Sequence, residues 1–245
     1  MLKIENTEVL GWDAAIRGMR NPLNSWEKSD SQFVRDPDYG CFGVCPCAEL
    51  VDCDCCHVGP NDLKLMNTLR NAGTDHRKFM RMITVYLDIT APLYWWKEFD
   101  TYKVGTVANS CSTMHKIADK EFTLEDFSHE HLLSMANNDA GDALFLNDAN
   151  NIRVDGDDLL GLIINVLNYY RGRYIKTKDK RYWWQLIQLL PSSYNQKRTV
   201  MLNYEVLANI YKSRRHHKLD EWHTLCDRIE SLPYSKLITG GVVDE

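Results

Sequence analysis

The sequence lacks the features that would assign it to several common classes of protein. No apolar run approaches the roughly 18 residues that a membrane-spanning helix needs, so we expect no membrane segment. The formal net charge is −5, which argues against nucleic-acid binding, because non-specific binding of that kind needs a basic surface. The opening residues MLKIENTEVLGWD are mixed and acidic, so we expect no signal peptide and a cytoplasmic location.

The usual catalytic motifs are also missing. There is no Gly-rich phosphate loop, no Gly-x-Ser-x-Gly motif and no His-Glu-x-x-His motif. The stretch NDANNIRVDGDD lacks the alternating ligands and closing glutamate of an EF-hand loop, and we interpret it as a solvated turn. The histidines of RRHHKLDEWH match no zinc spacing and favour a basic helix end. With 44% hydrophobic and 26% charged residues, the chain is nevertheless typical of a globular protein with a core.

Cysteine is concentrated in one short stretch. Six of the eight cysteines lie in CFGVCPCAELVDCDCCH, which runs from Cys41 to His57. Thiols stay reduced in the cytoplasm, so we expect no disulfide framework. The C-x3-C spacing fits a zinc knuckle loosely, whereas C-x-C and C-C do not. A structural zinc ion, an iron–sulfur cluster and a metal-free thiol-rich loop all remain open.

The rest of the pattern mixes strands and helices without a regular strand–helix–strand rhythm. Ile83, Val85, Leu87 and Ile89 alternate with polar residues, which predicts a half-buried strand. Further strands are predicted for residues 2–9 and YNQKRTVMLNY, and VGTVANSCS is expected as a strand or an extended loop. Helices are predicted for WDAAIRGMR, NDLKLMNTLRNAG with Asn61 as its cap, APLYWWKEFDTYK, DLLGLIINVLNYYRGRYI, RYWWQLIQLL, YEVLANIYKSRR and DEWHTLCDRIESL.

These elements predict an α+β fold, in which helices flank a mixed sheet. We expect a single domain over residues 1–245. A Cys-rich loop at about residues 37–60 and an irregular acidic insert at about residues 121–157 are expected to interrupt it.

One C-terminal helix carries a distinctive set of polar residues. Arg214 follows Asn203 by eleven positions, close to three helical turns, so the two lie near one face about 16 Å apart. Asn209 lies well off that line. Such residues can be ordinary surface residues, or they can line a pocket in which amide and guanidinium groups hydrogen-bond to a planar heterocycle.

At these residues the sequence resembles the flavin-dependent thymidylate synthases (ThyX). The family carries a Leu-Pro, a Tyr-containing segment, an Asn, and then a helix with a second Asn and an Arg. The same order appears here in LLPSSYNQKRTVMLNYEVLANIYKSRRHHKLDEW. Upstream, LMNTLRNAGTDHRKFMRMITVYLDITAPLYWWKEF resembles the family in its succession of helix, strand, Ala-Pro and aromatic-rich helix. The resemblance covers roughly residues 61–115 and 180–235.

The family motif Arg-His-Arg-x-x-Ser-x-Asn-Glu-x-Ser-x-Arg-Tyr is altered in this chain. The Arg-His-Arg positions hold Thr101, Tyr102 and Lys103, and the first Ser position holds Thr106. With one residue inserted, the Asn, Glu and second Ser positions hold Asn109, Ser110 and Ser112. The last Arg and Tyr positions hold Met114 and His115, and a further family arginine is replaced by Ile187 or Gln188. A lysine cannot reproduce the bidentate fork of an arginine, so these changes bear on flavin and phosphate binding.

The resemblance implies reductive methylation of dUMP to dTMP by an enzyme that needs no protein nucleophile. It implies FAD as cofactor, methylenetetrahydrofolate and NADPH as co-substrates, and a homotetramer. The implied flavin contacts are Lys103, Thr106, Asn203 and Asn209. The implied contacts to dUMP or a related pyrimidine deoxynucleotide are Asn109, Ser110, Ser112, Gln188 and Arg214, with Arg214 also polarising the pyrimidine as the catalytic residue. Two alternatives stay open: altered one-carbon chemistry on another pyrimidine deoxynucleotide, and a non-catalytic nucleotide-binding homologue.

Overall fold

The computed structural model describes residues 2–33, 52–53, 57–134, 144–147 and 152–240 of the chain. Its strands are β1 (Lys3–Leu10), β2 (Asp52–Cys53), β3 (Thr84–Pro92), β4 (Val107–Ser110), β5 (Leu144–Asn147), β6 (Ile152–Val154) and β7 (Asn195–Asn203). Its α-helices are α1 (Trp12–Arg20), α2 (Pro60–Asn71), α3 (Leu93–Phe99), α4 (Thr113–Lys116), α5 (Gly156–Thr177), α6 (Lys180–Leu189), α7 (Tyr204–Arg214), α8 (Asp220–Glu230) and α9 (Lys236–Thr239). Short 3-10 helices occupy Asn21–Leu23, Trp26–Lys28, Lys78–Arg81 and Leu124–Asp126.

The chain divides into two compact units. We call the first the helical unit, which comprises Ala91–Glu98 and Ser110–Lys197. We call the second the sheet unit, which comprises Leu2–Thr90, Phe99–Asn109 and Arg198–Glu245. The single-domain expectation stays a prediction.

A five-stranded sheet with the order β2-β1-β3-β7-β4 organises the sheet unit. β1 pairs in parallel with β2 and antiparallel with β3, so the sheet is mixed. The register shifts between Glu5 and Glu8, where Asn6 has a left-handed backbone conformation. The predicted α+β fold with a mixed sheet flanked by helices is confirmed.

The predicted alternation in β3 is also confirmed. The four apolar residues Ile83, Val85, Leu87 and Ile89 are all buried, whereas the polar residues between them are partly exposed. Because side chains of a strand alternate between its faces, the buried set places one face of the sheet against the core.

Helix α7 lies at the centre of the sheet unit's core. Tyr204, Leu207 and Ile210 on this helix are fully buried, and Trp222 on α8 is too. The hydroxyl of Tyr204 donates a hydrogen bond of 2.5 Å to the carbonyl oxygen of Pro233. The apolar burial and this satisfied hydroxyl fix the helix firmly.

The predicted cap of α2 is wrong. Gly59, not Asn61, occupies the N-cap position, and no side chain of the helix itself caps it. The carboxylate of Asp30 instead accepts hydrogen bonds from the backbone N–H groups of Asn61 and Asp62, at 3.0 and 3.2 Å. A residue distant in sequence therefore satisfies the free N–H groups of this helix end.

The helical unit has its own apolar core. Phe122, Phe127 and Tyr194 form an aromatic cluster that packs with buried leucines of α5 and α6. The acidic stretch that was expected to be irregular contains the antiparallel pair β5–β6 and the start of α5. Asp155 caps α5 by accepting a 2.8 Å hydrogen bond from the N–H of Asp158. No helix in the part of the chain that the structure describes combines the length and apolar character needed to cross a membrane.

Candidate functional site

The candidate site is built on the two ends of α7, in the sheet unit. Asn203 ends β7 and caps α7, because its Oδ1 accepts a 3.0 Å hydrogen bond from the N–H of Val206. Arg214 is the last residue of the helix. The two side chains predicted for a ligand pocket are thus separated by the length of the helix, about 16 Å.

Residues 102–106, which we call the motif segment, contact both ends of this helix. Tyr102 hydrogen-bonds to Arg214 at the C-terminal end. Gly105 packs at the N-terminal end, where a Cβ atom on it would lie 3.0 Å from Asn203 Nδ2 and 3.2 Å from Val206 Cγ2. The structure therefore brings together two segments that are 112 residues apart in sequence at Tyr102 and Arg214.

The guanidinium group of Arg214 is held by aromatic side chains. Its Nε donates a hydrogen bond of 2.9 Å to the hydroxyl oxygen of Tyr102. Its central carbon lies 4.7 Å from the centre of the Trp222 ring. Trp222 is fully buried and stacks on Phe99 with an angle of 18° between the rings. One hydrogen bond and one stacked face together define the orientation of a planar cation.

At the other end of the motif segment, Thr106 has a buried hydroxyl without a partner in the described residues and Gly105 has a positive φ. Thr106 Oγ1 is buried and has no hydrogen-bond partner within the described residues. Gly105 has φ +75°, which residues with a Cβ rarely adopt, and the absence of a Cβ lets its backbone lie close to the amide of Asn203. We call Gly105 and Thr106 the polar cradle, because a buried hydroxyl without a partner follows directly in sequence after this close backbone approach and a bound group could satisfy it.

An ion cluster that sequence reasoning missed stabilises the start of α7. Glu205 in its first turn is buried and accepts a 3.0 Å hydrogen bond from Arg77 Nε and a second from Arg81 Nε. Burial alone would raise the pKa of Glu205, but the Arg81 and Arg77 guanidinium groups outweigh it and hold the pKa below its ordinary value. The sequence offers no signal for this cluster, because Glu205 lies more than 120 positions from both arginines.

The other predicted site residues have less defined surroundings. Within the sheet unit, Lys103, Asn109 and Asn209 are exposed. Within the helical unit, Ser110 and Gln188 are exposed.

Ser112, also in the helical unit, has a local structural role. It caps α4 by accepting a 3.1 Å hydrogen bond from the N–H of His115. The assignment of these six residues to flavin or nucleotide binding stays a prediction.

The Cys-rich stretch lies almost wholly outside the described residues, which include its positions 52, 53 and 57. In the described ranges no three His, Cys, Asp or Glu side chains are grouped to hold a metal ion. The prediction of zinc in the Cys41–His57 loop therefore stays a prediction.

Comparisons with known proteins match the fold but not the sequence. No protein-family model matches the chain. No curated protein sequence matches it either. Among solved structures, the thymidylate synthase X (ThyX) from Helicobacter pylori, determined with FAD and dUMP, has a TM-score of 0.61 at 16% identity and covers 98% of both chains. A UMP/dUMP methylase, PolB from Streptomyces cacaoi, bound with 5-Br UMP, has a TM-score of 0.54 at 13% identity and covers 94% of this chain and 88% of that one.

These similarities establish the class of fold. The chain has the fold of the ThyX proteins over nearly its whole length. At 13–16% identity they establish the fold alone, because one fold supports many activities.

Proposed function

We propose that the protein is a flavin-dependent enzyme that methylates the pyrimidine ring of a nucleotide, with conversion of dUMP to dTMP as its reaction. The observation that carries this proposal is the contact of the motif segment with both ends of α7. This contact brings the polar cradle of Gly105 and Thr106 and the oriented guanidinium of Arg214 to the same helix. Solved structures with this fold include proteins bound to FAD and dUMP.

The cradle fits a flavin. The buried Thr106 Oγ1 supplies a hydroxyl that still requires a partner, and Gly105 lets the backbone approach closely. Together with Lys103 and the amides of Asn203 and Asn209, these residues would hold the flavin. When bound in reduced form, the flavin supplies the hydride that turns a transferred methylene carbon into a methyl group.

Arg214 acts on the pyrimidine in this proposal. The ring gains negative charge on a carbonyl oxygen when its C5 becomes nucleophilic, and a fixed guanidinium group stabilises that charge without reorganising. The net reaction consumes dUMP, methylenetetrahydrofolate, NADPH and a proton, and yields dTMP, tetrahydrofolate and NADP+. The proton on C5 leaves, and no protein nucleophile is required. We propose Asn109, Ser110, Ser112 and Gln188 as further nucleotide contacts.

Assembly and location belong to the same proposal. We propose a homotetramer that works in the cytoplasm. Size-exclusion chromatography with light scattering tests the tetramer, and a monomer at assay concentrations would contradict it.

A second candidate is methylation of the ribonucleotide UMP or of another pyrimidine nucleotide. The similarity to PolB favours it, because that protein is a UMP/dUMP methylase. A homologue that binds nucleotide without turnover is the third candidate.

One experiment distinguishes the three candidates. The purified protein is first examined for flavin absorbance. It is then incubated under anaerobic conditions with FAD, NADPH and methylenetetrahydrofolate in three separate reactions, which contain dUMP, UMP or dCMP, and the nucleotide products are analysed by mass spectrometry. We expect a gain of 14 mass units on dUMP, the mass of one CH2 group. Methylation of UMP or dCMP alone would replace the first candidate by the second. Nucleotide binding without product would favour the third, and no binding of flavin or nucleotide would refute the proposal.

A further inference from the structure

We propose that Tyr102 is a positioning residue that fixes the guanidinium plane of Arg214 for the reaction. This inference rests on the proposed function and deepens it. Its basis is the 2.9 Å hydrogen bond from Arg214 Nε to the Tyr102 hydroxyl, made at the point where the guanidinium also stacks over Trp222.

The geometry leaves the guanidinium little freedom. The Trp222 face holds the central carbon of the guanidinium 4.7 Å from its ring centre, but this contact alone still lets the group rotate. The bond from Nε to Tyr102 removes that rotation, because it ties one edge of the group. Nε is the nitrogen nearest the side-chain stem, so the hydrogen bond to Tyr102 ties the group at that edge and sets the direction in which the two terminal nitrogens point.

The support for Tyr102 is itself rigid. Its ring meets the buried Trp222 edge-on at 6.0 Å and lies 6.5 Å from Phe99, which is also buried. His217 meets the other side of the cluster, with its ring 6.2 Å from that of Trp222. Because the Tyr102 ring is packed in this aromatic cluster, its hydroxyl holds the Arg214 Nε in one position, which a flexible polar side chain would not do.

A purely structural role makes a different prediction. A partly buried tyrosine hydroxyl that only stabilises the fold would alter unfolding when removed, but it would leave each folded molecule fully active. A positioning role instead lowers turnover, because misplacement of a transition-state contact affects the reaction more than the binding of substrate.

The test compares Tyr102→Phe with Tyr211→Phe. Both variants keep the ring and remove one hydroxyl from the sheet unit. The Tyr211 hydroxyl donates a 2.6 Å hydrogen bond to Glu230, so Tyr211→Phe is the matched control. The measurements are kcat and KM for dUMP with FAD, NADPH and methylenetetrahydrofolate, the melting temperature, and the Arg214 Nε–H signal by nitrogen-15 NMR.

We expect Tyr102→Phe to lower kcat about tenfold or more, with KM changed less than about threefold, and to shift the Arg214 Nε–H signal. Tyr211→Phe should keep kcat within about twofold and leave that signal in place. If the wild-type enzyme is active but Tyr102→Phe leaves kcat unchanged, or changes only KM, this inference is overturned while the proposed function stands. A wild-type protein without turnover on any pyrimidine nucleotide would overturn the proposed function and the inference with it.

Discussion

Two arginines of the sheet unit, Arg20 and Arg214, are held in opposite ways. Arg20 is 4% exposed; its Nε donates to Asp62 at 2.6 Å and its terminal nitrogens donate to the carbonyl oxygens of Ser25 and Lys28. Every nitrogen of that guanidinium is thus used within the fold. Arg214 is partly exposed and lies against a neutral hydroxyl and an aromatic face.

The difference teaches what each arginine is suited to do. A carboxylate partner with two carbonyl acceptors neutralises and immobilises Arg20, so its removal should act on folding. A hydroxyl and an indole face orient Arg214 at the end of α7, and under the proposed function its removal should act on chemistry. The following variants are chosen to break or sharpen this contrast.

The largest expected effect is on the Arg20 cluster. Asp62 is fully buried, and its second oxygen accepts four hydrogen bonds, from Ser29, Asp30 and twice from Ser31. Asp62→Asn would place an NH2 group against these donors and leave the Arg20 charge buried without its counter-charge. We expect a loss of about 3–5 kcal/mol in the free energy of unfolding, measured by urea denaturation.

A surface pair provides the control for this prediction. Asp227 accepts from Arg215 at 3.1 Å with a side chain that is 67% exposed, so Asp227→Asn should cost about 1 kcal/mol or less. Equal losses from both variants would show that the Asp62 cluster contributes no more than a surface ion pair.

Arg214 should show the reverse pattern. Arg214→Ala removes the proposed transition-state contact, and we expect turnover per folded molecule to fall about 100-fold or more. The lost stacking on Trp222 should cost only about 1 kcal/mol of stability. Arg17→Ala, which removes an exposed arginine of α1, is the control and should leave both quantities nearly unchanged. A large drop in melting temperature with activity intact would instead make Arg214 a structural residue.

Local patterns of the sequence predicted the local structure well. The alternation in MITVYLDIT predicted β3, and the spacing in WDAAIRGMR and YEVLANIYKSRR predicted α1 and α7 within a residue or two. These succeed because side-chain period and burial are coupled directly in strands and helices. The β5–β6 pair and α9 were missed, because short elements carry too few periods to stand out.

The contacts that make the candidate site were harder to predict. The sequence pointed to Asn203 and Arg214, but not to the hydroxyl of Tyr102 as a partner of Arg214. That contact depends on how the motif segment runs along α7. The spacing of residues in a sequence predicts helices and strands, but it does not predict where a loop packs. The sequence-based alignment with the family motif predicted a role for the position of Tyr102, but it gave no signal for its partner.

Gly105 is expected to give a smaller effect that distinguishes the cradle from ordinary backbone strain. Gly105→Ala forces a Cβ into a positive-φ residue and against Asn203, so we expect a loss of about 1–2 kcal/mol and weaker FAD binding. Gly73→Ala is the matched control, because Gly73 also has positive φ but has open space around it. FAD titration of both variants checks this, and equal affinity in the two would remove Gly105 from the proposed flavin site.

The smallest expected effect is the pH dependence that comes from Glu205. Its pKa is lower in the folded chain, since Arg81 and Arg77 outweigh the effect of burial. The unfolded state therefore binds the proton first as pH falls, so this carboxylate stabilises the fold fully above its unfolded pKa of about 4.3 and loses that contribution below it. The cost of Glu205→Gln, measured by urea denaturation, should be greatest at pH 7 and should shrink by on the order of 1 kcal/mol at most by pH 4. A cost that stays constant between these pH values would mean that the charge of Glu205 does not stabilise α7, and that its hydrogen bonds act alone.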